Sequence, residues 1–258
     1  MDEQAWSGRV ASRKTTVGDL KVTACLRQGK ASASSPFLAL GSDGREWWVK
    51  PPEPALDKAL VTEVVVGTLG GMIGAPVCET SPMEISNDLL PWEYQPGRPL
   101  QSGMGSATVN LPGTITEIRP NLDRRNDDDN RRRHAGVYCL VDWFFGADLQ
   151  WLQQVDDEWR LYSHDHGWYL PPAGPSWTKD SLRSNVDTPA GIADDPAGLE
   201  KSELDRLARS LEAIDANVIT NVLNAIPAGW PVSNDELECL GWFLLRRAPQ
   251  VATRLRRL

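Results

Sequence analysis

Several features that usually betray a function are missing from this chain. No run of about 18 apolar residues occurs in its 258 residues, so no segment reads as a membrane span. The four cysteines, Cys25, Cys78, Cys139 and Cys239, are widely spread and include no CxxC pair. The opening "MDEQAWSGRV" has no apolar core of the kind a secretion signal carries. Reduced core thiols in a soluble, cytoplasmic protein are therefore expected. Positive charge is also short. With 27 Lys and Arg against 35 Asp and Glu, the net charge is −8, which disfavours direct nucleic-acid binding, a role that needs a basic face. No internal repeat is visible. Only three histidines occur, yet two of them flank one aspartate in "LYSHDHGWYL" (161–170).

What is present falls into an order. "LKVTACLRQ" (20–28) alternates apolar and polar residues as a half-buried strand does. "PFLALGSDGREWWVK" (36–50) sets two apolar runs around Ser42-Asp43-Gly44, a hairpin signal. In "PALDKALVTEVVVGTLGGMIG" (54–74), Leu56, Leu60, Val64, Leu69 and Ile73 recur at helical spacing, and the glycines at 70, 71 and 74 suit a frayed end. "APVCETSPMEIS" returns as a strand. A Pro/Gly/Ser-rich connection, about 87–113, leads to "NLDRRNDDDNRRRH", which reads as a solvated loop and helix start. That stretch lacks the alternating carboxylates and distal Glu of a calcium loop, and Asp129 or Asn130 can cap the helix that follows. Val137, Leu140, Val141, Phe144 and Phe145 give this helix one apolar face, with Gly146 as its stop. Helical segments at about 200–224 and 234–247 precede a basic tail. The expected fold is α+β and bilobal: a β-rich first lobe with one helix (1–87), a mainly helical second lobe (88–258), and a ligand between them.

Asp165 admits three readings at this point: a buried accident, a metal ligand, or half of a catalytic pair. Asp148 lies in the turn leaving the buried helix. "WLQQV" and "WRLYSH" read as two short strands reversed at Asp156-Asp157-Glu158, a hairpin that returns Asp165 to the side of Asp148. Phosphoryl transfer uses such a pair, one carboxylate orienting the attacking hydroxyl and the other holding the Mg²⁺ that bridges the phosphates. That chemistry also needs a lysine on the phosphates, and Lys50 ends the strand "REWWVK". It needs a carboxylate to hold the lysine, and Glu63 lies mid-helix among valines. A loop of small residues must let backbone N–H groups approach phosphate, and "GKASASSP" (29–36), with Ser34 and Ser35, lies between the first two strands. Each part alone is bland, but their order follows the bilobal kinase plan.

The segments "GKASASSPFLALGSDGREWWVK", "VTEVVVGTLGGMIGAPV", "CLVDWFFGADLQWLQ" and "SHDHGWYL" resemble the HipA-like kinases, relatives of the phosphatidylinositol 3/4-kinase-like branch, in the compact form without an N-terminal add-on domain. The likeness runs on through "AIPAGWP" and "ECLGWFLLRR", from about 18 to 250. It implies a protein-kinase-like fold with ATP and Mg²⁺ as cofactors. By resemblance Lys50 binds the phosphates, Asp148 is the catalytic aspartate and Asp165 the metal-binding one. The adenine-binding hinge falls at about Met83 to Asn87, with Met83 and Ile85 against the nucleotide. Such kinases place a histidine two residues after the catalytic aspartate and a metal-binding asparagine five residues after it. Gln150 and Gln153 stand at those places here, and Gln153 carries its amide oxygen about 1.5 Å further out than Asn would.

Three functions follow as expectations. The first is an ATP- and Mg²⁺-dependent kinase; for HipA-like proteins the acceptor is a protein Ser or Thr, in a toxin or defence setting, and a small-molecule hydroxyl is the alternative acceptor. The second is a nucleotide-binding pseudokinase that works on a regulatory partner protein, the reading that Gln153 favours. The third makes His164 and His166 zinc ligands on one strand face, with carboxylates completing the sphere. Most of the eleven tryptophans, among them Trp47, Trp48, Trp143, Trp151 and Trp168, lie inside apolar periodic segments and are expected as packing residues.

Overall fold

Alternation along the strands builds the first lobe. In "EWWVK", Trp47 and Val49 are fully buried, while Trp48 and Lys50 lie half-buried on the other face. The computed structural model describes residues 2–16, 18–30, 34–117, 124–127, 129–148, 150–154, 159–191 and 195–258. Its first strands are β1 (Val22–Gln28), β2 (Phe37–Gly41), β3 (Glu46–Lys50) and β4 (Thr80–Ile85), with a small hairpin of β5 (Glu93–Gln95) and β6 (Arg98–Pro99), then β7 (Gly103–Val109). The main sheet runs β1-β2-β3-β7-β4. It curls until Lys21 bridges Glu84, and it wraps Val22, Phe37, Ala39, Trp47, Val49, Met83, Ile85 and Ala107 around a private core.

Helix α1 (Ala59–Met72) lies between β3 and β4 in the chain and is buried on every side. One side meets the sheet so closely that a Cβ on Gly67 would come within 2.5 Å of Thr80 Oγ1. The remainder joins a second core with α2 (Asn130–Phe144), α3 (Lys179–Asn185), α4 (Lys201–Ala213), α5 (Ala216–Asn224) and α6 (Asn234–Leu255). Burial on both sides explains the near-continuous "ALVTEVVVGTLGG": a helix with no solvent face needs no polar stripe. Lys58, at its N-terminus, donates to the Trp177 carbonyl at 2.7 Å and to Glu236 at 2.6 Å, fixing α1 to the helical lobe. A three-stranded sheet, β10-β9-β8, joins β8 (Thr114–Glu117), β9 (Gln150–Gln154) and β10 (Arg160–His164) beneath the cleft.

The molecule is thus a mixed α/β fold, sheet-rich in its first part and helical in its second, and several boundaries differ from the sequence reading. β7 lies between β3 and β4, so the first lobe extends to Val109 rather than ending near 87. Residues 3–14 belong to the second lobe. Trp6 is fully buried against α6, where a Cβ on Gly241 would come within 2.2 Å of its ring, and Arg13 donates to the carbonyls of Ile226, Pro227 and Val232. The segment 200–224 is two helices, because Asp215 caps a new one at the amides of Asn217 and Val218. α6 continues through the basic tail to Leu255. The charged stretch is only partly solvated: Arg125, Asn130 and His134 are buried, and Asn130 binds Trp159 O and Leu161 N, pinning the hairpin, while Asp129 makes no side-chain cap. All four cysteines are free. No described helix is long and apolar enough to cross a membrane.

Candidate functional site

Three distant side chains meet where the two lobes face each other. Lys50, at the end of β3, donates to Asp165 Oδ1 at 2.5 Å and forms a very short ion pair with Glu63 of α1. Glu63 Oε1 also accepts the Gly167 backbone N–H at 2.9 Å. The fit at Gly167 is close: a Cβ would sit 3.1 Å from Ala59 Cβ and 3.2 Å from Glu63 Oε1. The Asp-x-Gly turn is therefore locked to α1 through the same carboxylate that holds the lysine. Chain pairing supports the contact: Ser163, two residues before Asp165, donates its N–H to Pro76 O at 2.7 Å, so the segment leaving α1 adds to β10.

Asp165 and Asp148 flank one end of the β9–β10 hairpin, whose register places Gln150 opposite His164. Both aspartates adopt left-handed backbone, with φ of 56° and 53°, a conformation a non-glycine residue holds at some cost and which clusters at functional sites. α2 ends at Phe144, and the left-handed residue after it is Phe145 (φ 57°) rather than Gly146. Gly146 is small for another reason: its Cα rests on the Tyr169 ring, where a Cβ would come within 2.7 Å. The tight seat on Tyr169 aims Asp148 outward, and its carboxylate is exposed. Gln150 Nε2 donates to Asp148 Oδ2 at 3.3 Å.

The charges are unequal by design. One ammonium faces two carboxylates, and the side chains of Lys50 and Glu63 are 12% and 2% exposed against 29% for Asp165. Burial would lower the lysine, but Asp165 and Glu63 hold it protonated well above its usual range. Burial opposes ionisation of Asp165 too, yet the adjacent Lys50 keeps its carboxyl far below the usual range. Burial drives Glu63 upward against Lys50. Asp165 is therefore the carboxylate of the cluster that is both held ionised and most exposed. A carboxylate oxygen there is a fitting ligand for Mg²⁺.

Other expected residues lie elsewhere. Gln153 is buried on the Trp151 face of β9, opposite Leu161, and its Nε2 finds no partner among the described residues. Met83 and Ile85 are buried in the core of the curled sheet, and β4 pairs with β7 rather than running directly into the second lobe. The crossing between lobes runs from Val109 to Thr114. In the small-residue loop, residues 31–33 lie outside the described residues. Gly29 N–H closes the loop on Pro36 O at 3.0 Å, Ser34 is half-buried, and the buried Ser35 hydroxyl accepts from Arg98 Nη1 at 2.9 Å. Since Phe37 pairs with Val49, the loop emerges beside the strand end that carries Lys50. His164 and His166 do not share a face: the left-handed turn at Asp165 puts His166 in a short 3₁₀ turn, where Nε2 meets Ser163 Oγ at 2.9 Å. Among the described residues no group of three or more His, Cys, Asp or Glu could hold a metal, so the zinc reading loses its ligands.

Sequence reasoning missed three contributors. Trp48 shares the Lys50 face of β3, and its indole N–H donates to Asn110 at the lobe crossing, at 2.9 Å. Its position two residues before Lys50 was the available signal. Arg98, paired with Glu53, holds Ser35 from the β5–β6 hairpin, and Gln95 Nε2 reaches Gly29 O at 2.8 Å. Nothing in the local sequence announces either contact.

No protein-family model matches the chain, and no curated protein matches it. Solved structures do. The proinflammatory kinase CtkA of Helicobacter pylori superposes with a TM-score of 0.61 over 92% of this chain and 97% of its own, at 13% identity. The Golgi casein kinase with Mn and ADP bound gives a TM-score of 0.49 over 99% of this chain and 77% of its own, at 10% identity. The CtkA likeness shows that the chain has a kinase-like fold.

Proposed function

We propose that the chain is an ATP- and divalent-metal-dependent phosphotransferase of the HipA-like kind, acting on a hydroxyl. The observation that supports it most is Lys50 held between Glu63 and Asp165 in the cleft of a kinase-like fold. A permanently charged ammonium fixed by two elements is pre-organised for phosphate oxygens, which cost it no rearrangement. Asp165 would hold the cation, whose role when bound is to neutralise phosphate charge. Asp148, exposed at the same end of the hairpin and accepting from Gln150, would orient the attacking hydroxyl and take its proton. The acceptor that HipA-like proteins suggest is a protein Ser or Thr in a toxin or defence setting, with a regulatory partner protein holding the activity in check.

A second reading, a nucleotide-binding pseudokinase, draws on one observation: β9 opens at Gln150, so the fifth residue after Asp148 lies inside a strand and not in a loop at the cleft. Transfer from [γ-³²P]ATP to the chain itself or to a generic Ser/Thr substrate decides between them. The kinase reading expects label that falls at least about 10²-fold in Asp148→Asn. ATP-induced thermal stabilisation with no label in the parent would establish the pseudokinase instead.

A further inference from the structure

We infer that the cleft takes a single divalent cation per nucleotide, with Asp165 as its protein ligand, and that Gln153 is a core residue with no part in metal binding. The inference rests on the nucleotide reading above and narrows it.

Spacing along the chain assigns a second metal-binding carboxamide to the fifth residue after Asp148, which is Gln153. The structure removes it from the cleft in three ways. First, parity: Trp151 and Gln153 are buried while Gln150, Leu152 and Gln154 are not, so Gln153 projects with the Trp151 face toward α2, where Val137, Val141 and Leu161 pack. Second, distance along the strand: the register sets Gln150 opposite His164 and Gln153 opposite Leu161, about 10 Å further from Asp165 at a strand's rise of ~3.3 Å per residue. Third, β9 begins at Gln150, so Gln153 is held inside a paired strand and not in a loop. The carboxamide at the cleft end, Gln150, turns its Nε2 to Asp148. Among the described residues, Asp165 combines partial exposure with adjacency to Lys50.

Gln153 has a different signature. The residue is 1% exposed and its Nε2 has no hydrogen-bond partner among the described residues, an arrangement that destabilises a core and that a similar-sized apolar side chain relieves.

The test is a titration of the parent and Gln153→Met with Mn²⁺, read by electron paramagnetic resonance in the presence of a non-hydrolysable ATP analogue. Binding of the analogue is measured separately by calorimetry. One tightly held Mn²⁺ per chain is expected in both proteins, with affinities within twofold of each other. The melting temperature of Gln153→Met is expected to rise by roughly 2–4 °C. Two Mn²⁺ in the parent, or one lost in Gln153→Met, with the analogue still bound, overturns the inference and leaves the nucleotide reading standing. No binding of the analogue overturns both.

Discussion

Two of the buried ion clusters among the described residues are completed on opposite terms. In the helical lobe, Arg247 of α6 is fully buried and donates to the carbonyls of Trp143, Asn185, Val186, Thr188 and Asp142, while the Asp142 carboxylate takes Arg254 at 2.6 and 2.9 Å and the Ala190 N–H at 3.2 Å. Every donor and acceptor there is spoken for by the protein. In the cleft, Lys50 has two carboxylates for one ammonium, and Asp165 faces solvent. A buried charge kept for folding is closed on itself. One kept for a ligand is left electrically unfinished and reachable.

Replacing each cation in turn sharpens that contrast. The largest loss of stability belongs to Arg247→Met, which strands five carbonyls at the junction of α2, α3 and α6. Unfolding free energy is expected to drop by about 3–5 kcal/mol, read by denaturant titration. Lys50→Met leaves Glu63 and Asp165 facing each other, and Glu63, already driven upward by burial, can relieve the repulsion by taking a proton. A cost of about 1–3 kcal/mol is expected, with nucleotide affinity reduced at least ~100-fold by calorimetry. If Lys50→Met binds ATP like the parent, the cleft cluster is merely a second structural one.

Acid probes both regions together. Burial holds His134, His164 and His166 neutral, their ionisation pushed down to about 4, 4 and 3; Arg125 adds to the effect at His134, and His164 adds to it at His166. An unfolded histidine takes its proton near 6.5, so the folded state binds fewer protons between about pH 6.5 and 4. Stability is therefore full above pH 6.5 and falls as pH drops toward 4, by up to about 1.4 kcal/mol per pH unit for each histidine. His134 lies outside the cleft, its Nδ1 accepting from Arg125. His134→Asn should reduce the acid slope by about one proton between pH 6.5 and 5 without altering nucleotide affinity.

The sequence made the cleft more legible than its surroundings. Lys50, Glu63 and Asp165 could be found because each breaks a local pattern: a charge ending an apolar strand, an acid among valines, an aspartate inside an apolar run. The hairpin from Asp148 back to Asp165 could be drawn because its register depends on short-range alternation. Arg247 offered no such signal, since an arginine near the end of a helix reads as a solvated partner for the dipole until distant carbonyls close around it. The burial of Met83 and Ile85 in the sheet core was not legible, because strand order is non-local. β7 slots between β3 and β4 only after an excursion of residues 86–102. Gln153 was harder to place for a related reason, as counting five residues on presumes a loop where this chain has already begun a strand.

The central claim is that Asp165, tied to Lys50, is the unfinished end of the cleft cluster, awaiting a cation and a nucleotide. Calorimetric titration of the parent and Asp165→Ala with ATP, with and without Mg²⁺, tests it most directly. Mg²⁺ is expected to tighten ATP binding to the parent by at least about tenfold, or ~1.4 kcal/mol, and to do nothing for Asp165→Ala. The variant keeps a one-to-one Lys50–Glu63 pair, and its unfolding free energy should stay within about 1 kcal/mol of the parent. A variant that responds to Mg²⁺ and ATP as the parent does would contradict the account.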